Sequence, residues 1–208
     1  MRAEVPRYVF EAAHGLAAAT GLAGFCFHLY NIFKRPSGFS WLSLFYGAPF
    51  ALSLAGLLGQ WGIRLSDPDD RPAALLGVRA GRAVAAAAAS ALLGTVGEAG
   101  LLHFRGAYHN PAMFLPVSVP PVAAALLGTA AAAPSQAAQT AARAALWATA
   151  LLGAAGVGFH IYGVARNMGG WRNWSQNVLN GPPIPALPSF TGLAVIGLAA
   201  LRLMDAER

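Results

Sequence analysis

Residues Ala144–Val164 read AALWATALLGAAGVGFHIYGV, an uncharged stretch dominated by Ala, Leu and Gly. About 20 such residues suffice for a helix to cross a bilayer. Lipid offers backbone groups no hydrogen-bond partners, so the spanning options are helices and closed barrels. This composition lacks the two-residue alternation of a barrel strand. The segment is therefore expected to be a transmembrane helix.

Five further stretches read the same way: Phe10–Phe33, Trp41–Ile63, Ala83–Phe104, Ala112–Ala133 and Pro188–Leu203. The whole chain agrees, with 56% hydrophobic and only 11% charged residues in 208, against about 25% charged in a soluble domain. The expectation is an all-α, polytopic transmembrane bundle of about six spans, forming one domain over residues 1–208. Pro116, Pro120 and Pro121 should kink the fourth span, and Pro182, Pro183, Pro185 and Pro188 should leave an irregular approach to the sixth. The first stretch follows Arg2 and Arg7 as a secretory signal would. Glu11 and His14 interrupt it and its apolar run continues past Ala19, which suits a retained helix.

With six spans, one side carries Arg2, Arg7, Arg64, Arg71, Arg79, Arg82, Arg143, Arg202 and Arg208, and the other Lys34, Arg35, Arg105, Arg166 and Arg172. The positive-inside bias then puts both termini in the cytoplasm. An Ala/Gly/Arg-rich composition points to a bacterial inner membrane. The net charge of +6 is scattered, with no basic run interleaved with aromatics, so no nucleic-acid partner is expected. The lipid bilayer is the implied surrounding, with other membrane or periplasmic subunits as partners. The one cysteine, Cys26, excludes a disulfide framework and a thiolate metal cluster.

Comparing the spans with one another suggests a repeat. Gly21, Gly24 and His28, then Gly97, Gly100 and His103, then Gly153, Gly156 and His160 each show Gly-x-Ala-Gly with a histidine three or four residues on. A proline-containing turn follows each. Three hairpins, approximately 8–65, 80–134 and 138–205, would result. At about 100° per residue, Gly21, Gly24 and His28 share a face, as do Gly153, Gly156 and His160. Glycine faces let membrane helices approach closely, so these histidines should point inward, at the non-cytoplasmic ends of their helices. His109 lies on the same side, and Glu98 is an intramembrane carboxylate, a residue type associated with function.

Imidazole suits haem iron and the transition metals Cu, Fe and Zn. The candidate ligands are His28, His103 and His160 for a cofactor, with His109 and Glu98 added for a metal. Tyr30, Asn31 and Tyr162 are candidates to orient them. His14 and His28 stand 14 residues apart on nearly one face, which resembles the ligand spacing of the dihaem b-type cytochrome family. That resemblance would imply a second helix with the same interval, and none offers a partner for His14. One b-type haem, held by two of His28, His103 and His160, is the form retained. Glu11-x-x-His14 resembles half of the carboxylate-bridged di-iron signature, which must occur twice and occurs once. Three two-helix repeats are similar in outline to the mitochondrial carrier family, but its proline and paired-charge signature is missing.

The functional expectation is a membrane subunit with a polar histidine site at the non-cytoplasmic face, binding a metal or b-type haem for electron transfer. The alternatives are a small-molecule or proton-coupled transporter or channel, and a scaffold or assembly subunit. No GxSxG, P-loop or HExxH motif supports hydrolase or nucleotide-driven chemistry. Trp41, Trp171 and Trp174 fit an interfacial aromatic belt.

Overall fold

The computed structural model describes residues 7–46, 74–75, 77–180 and 188–208. Helix α1 spans Arg7–Phe33 and a short α2 spans Trp41–Tyr46. A two-residue hairpin, β1 (Ala74–Leu75) with β2 (Val78–Arg79), leads into α3, Ala80–Arg105. A 3-10 turn at Pro111–Phe114 opens α4, Leu115–Ala132, and α5 covers Gln136–Arg166. A second 3-10 turn, Gly170–Asn173, precedes α6 (Trp174–Asn180), and α7 runs Pro188–Ala206.

Among the described residues, four helices are long and apolar enough to cross a membrane: α3, α4 with its 3-10 turn, α5 and α7. All-α architecture and a membrane setting are thus what the helices show. The second expected span lies mostly outside the described residues, as does the irregular approach at 181–187. The four long helices form a closed ring, α3 against α4, α4 against α5, α5 against α7 and α7 against α3. Neighbours run antiparallel, and α3 and α5 lie on one diagonal.

Local chemistry explains where these helices begin. Asn110 Oδ1 accepts the Ala112 amide at 2.9 Å with Pro111 at the first position, where no amide hydrogen is needed. Ser135 Oγ accepts the Ala138 amide at 3.2 Å and starts α5. That start lies eight residues before the first residue of the apolar stretch, Ala144. The polar turn holding Gln136, Gln139 and Arg143 is helical because it is capped and Ala-rich, neither of which hydropathy registers. Pro120 and Pro121 lie inside one assigned helix, while Pro116 occupies its first turn.

Alanines and leucines fill the ring, with Leu92, Leu127, Leu146, Leu193 and Leu201 fully buried. In lipid such helices associate by packing and interhelical hydrogen bonds rather than by release of water. Thr191 Oγ1 of α7 donates to Ala150 O of α5 at 2.9 Å, and the buried Thr95 and Thr149 donate to carbonyls one turn back.

Gln139 breaks this pattern. Its side chain is 0% exposed, and among the described residues neither Oε1 nor Nε2 has a hydrogen-bond partner. An unsatisfied buried amide costs about 1–3 kcal/mol. Gln139→Met, close in volume and without the polar atoms, should raise the thermal midpoint in detergent by about 2–4 °C, given the usual scaling for a chain this size. A lower midpoint would show that the amide has a role in the fold.

One end of the ring is closed by polar contacts between neighbouring helices. Arg82 of α3 donates to the Ala131 and Ala132 carbonyls that end α4, at 2.6 and 2.9 Å. Glu207 Oε1, just past α7, accepts the Gly81 amide in the first turn of α3 at 2.9 Å. Arg143 of α5 pairs with Asp205 of α7. The first two supply groups that helix ends lack, and the third joins two side chains across neighbouring helices.

Candidate functional site

The opposite end holds His103 and His160, because α3 and α5 run parallel. His103 is the more completely built. Helix α3 ends at Arg105, and Ala107 and Tyr108 follow with positive φ of 57° and 47°. Such left-handed conformations are strained for non-glycine residues and concentrate at functional sites. They turn the chain back, so that Tyr108 N donates to His103 O at 3.1 Å and Tyr108 Oη donates to Gly100 O at 3.1 Å. The Tyr108 ring stacks on Phe114, with centroids 4.5 Å apart, and meets the His103 ring edge-on at 6.0 Å.

His103 Nδ1 lies 2.8 Å from Met113 O. A carbonyl can only accept, so Nδ1 carries the hydrogen and Nε2 is the lone-pair nitrogen. Nε2 makes no hydrogen bond to a described residue. A ligating histidine likewise has one ring nitrogen fixed by a carbonyl and keeps the lone pair on the other. His109 is tied similarly, Nδ1 to Gly106 O at 3.0 Å, but it is exposed on the turn itself.

His28 is half-buried in α1, its Nδ1 buried without a hydrogen-bond partner among the described residues and its ring edge-on to Phe27. His160 is half-buried one turn beyond the buried Gly156, and Glu98 is half-buried in α3. Among the described residues, no three His, Cys, Asp or Glu side chains gather as a metal-ligating group.

The glycine faces divide. Gly153 and Gly156 are buried, as their spacing suggests. Gly97 is exposed, and a Cβ there would meet nothing within 4 Å; at Gly100 a Cβ would touch Val117 Cγ1 at 3.4 Å. Periodicity tells which residues share a face but not which face meets a neighbour.

The candidates for orienting groups take other positions. Asn31 Nδ2 donates to Phe27 O of its own helix at 3.0 Å. Tyr30 and Tyr162 are both 60% exposed, the first beneath Lys34 at 6.0 Å and the second beneath Arg166 at 5.6 Å. The parallel continues: Ile32 and Val164 are buried two residues on, and Trp41 and Trp174 each open a short helix with an exposed ring. Ser43 and Asn177, both buried, then clasp the preceding loops, Ser43 through Ser37 at 2.7 Å and Asn177 through the Met168 and Gly170 carbonyls at 3.2 and 2.8 Å.

Sequence reasoning missed the Tyr108 hydroxyl and the Gly100 and Met113 carbonyls as partners in this turn. Asn110 and Pro111 belong to the proline-containing turn after His103, but the contact between residues 103 and 113 depends on the two left-handed residues before it. No family model, curated protein or solved structure matches the chain.

Proposed function

We propose that the protein is a six-span inner-membrane subunit, both termini cytoplasmic, whose histidine-bearing end holds a redox group for electron transfer with a membrane or periplasmic partner. The observation that carries this reading is His103, fixed through Nδ1 on the Met113 carbonyl, which leaves Nε2 as the lone-pair nitrogen. The close parallel between residues 27–43 and 159–177 supports a common origin for the segments bearing His28 and His160. A single b-type haem asks for only two imidazoles, so it requires no three-residue cluster; Cu, Fe or Zn is the metal alternative. His103 with His28 or His160 would hold the group, and bound haem would supply one-electron transfer.

A second reading has its own observation. His103 and His109 both tie the turn after α3, which is what a scaffold subunit with loop-pinning histidines would show. His103→Asn separates the two, because an asparagine amide can replace the Nδ1 donor but supplies no Nε2. Under the redox reading, purified wild-type protein shows a reducible Soret band or about one equivalent of metal. His103→Asn then loses it, with the thermal midpoint of wild type stripped of the group. Under the pinning reading, His103→Asn is silent and His103→Ala alone destabilises, by about 1 kcal/mol for one lost hydrogen bond. A colourless, metal-free wild type overturns the redox reading.

A further inference from the structure

The end of the ring remote from the histidines carries a cavity of about 320 Å³, lined by Arg79, Arg82, Pro134, Met204, Glu207 and Arg208. It sits where α3 and α5 begin and α4 and α7 end, the depth at which a spanned bilayer places its headgroups.

Three arginines and one acidic side chain line the cavity, and the arginines' existing bonds leave their positive charges in place. Arg82 is held by the neutral carbonyls of Ala131 and Ala132, Arg79 Nη1 donates to the Glu207 carbonyl at 2.8 Å, and Arg208 Nη1 donates to Gln136 Oε1 at 3.5 Å. Glu207 directs Oε1 to the Gly81 amide at 2.9 Å. Its charge therefore sits against the partial positive end of α3 rather than against an arginine. The arginine bonds use some of each planar fork, and the remaining N–H groups match phosphate oxygens. Met204 and Pro134 add apolar wall beside them.

We propose that this cavity binds a phosphate group, that of an anionic phospholipid headgroup such as phosphatidylglycerol. The four neighbouring helix ends favour a lipid over a free ion, because they hold the arginines at headgroup depth. The arginines that assign this end to the cytoplasm by the positive-inside bias would face an anionic leaflet there.

Native mass spectrometry of the full chain in a neutral detergent, offered phosphatidylglycerol or phosphatidylcholine, tests this. One phosphatidylglycerol should be retained per chain in preference to phosphatidylcholine. Each arginine near a membrane surface contributes about a fivefold factor, so Arg79→Gln with Arg208→Gln should weaken retention on the order of 30-fold. Arg82 is left intact because it closes α4. Arg79→Lys with Arg208→Lys keeps the charge and should recover most of the binding, which separates lost charge from a damaged fold. Inorganic phosphate, offered alone in a thermal-shift assay, identifies the other source of the same chemistry: protection that disappears in the glutamine pair assigns the site to free phosphate. Equal retention of the two lipids with no protection by phosphate overturns the proposal. So does binding that is unchanged in the glutamine pair.

Discussion

Gly81→Val is expected to lower the thermal midpoint in detergent by about 6–12 °C, the equivalent of about 3 kcal/mol for a chain of this length. A Cβ at Gly81 would lie 2.8 Å from the Met204 backbone nitrogen, 2.8 Å from Met204 Cγ and 3.0 Å from Glu207 Oε2. A flexible side chain could swing away, but the Met204 nitrogen belongs to α7 and moves only with the helix. Separating α3 from α7 there would also stretch the Gly81 amide from Glu207 and loosen contacts along Ala85 and Ala88, the next buried positions on that face. Gly94→Val is the control, because a Cβ there meets no described residue within 4 Å. Thermal unfolding followed by circular dichroism reads both. Equal midpoints for the two variants would show that α3 and α7 are not packed this closely.

Gly81 also shows which parts of the molecule the sequence exposed. Membrane class and the four long helices were legible because hydropathy responds to transfer of side chains into lipid, and each apolar stretch within the described residues is helical. Gly81 itself drew no notice: it stands in Arg79-Ala-Gly81-Arg82 among polar residues, outside any apolar stretch. Its importance comes from α7, more than a hundred residues later, and one-dimensional spacing carries no information about such a crossing. Gln139 was hidden for a related reason, since it reads as part of a wet connection and becomes interior only once Ser135 caps α5. At the candidate site, the histidines were legible by type and interval. The device that fixes His103 was not, because it rests on Ala107 and Tyr108 adopting a conformation that neither residue favours. The likeness between spans lies in matching side chains at His28-Leu-Tyr30 and His160-Ile-Tyr162, and it is weaker at His103, where no equivalent tyrosine follows.

The second large effect should come from Leu146, and its dependence on Gly197 tests the centre of the ring. Leu146 is fully buried, and a Cβ on Gly197 would lie 2.9 and 3.0 Å from its two methyl carbons and 3.0 Å from Leu127 Cδ2. Leu146→Ala removes the methyls that fill the space over that glycine. Deleting a buried leucine costs about 2–5 kcal/mol, part of it from the cavity left behind. In a membrane the cavity and lost-contact share dominates, because association there is driven by packing. Gly197→Ala alone should also destabilise, by about 1–2 kcal/mol, since two leucines must shift together to admit the methyl. With both changes, the new methyl enters the space the leucine vacated. The double variant should therefore be more stable than the sum of the single effects by about 1 kcal/mol or more, a coupling expected of residues in contact. Strict additivity in the thermal midpoints of the four proteins would mean that Gly197 of α7 does not face Leu146 of α5, and the order of helices around the ring would have to be redrawn.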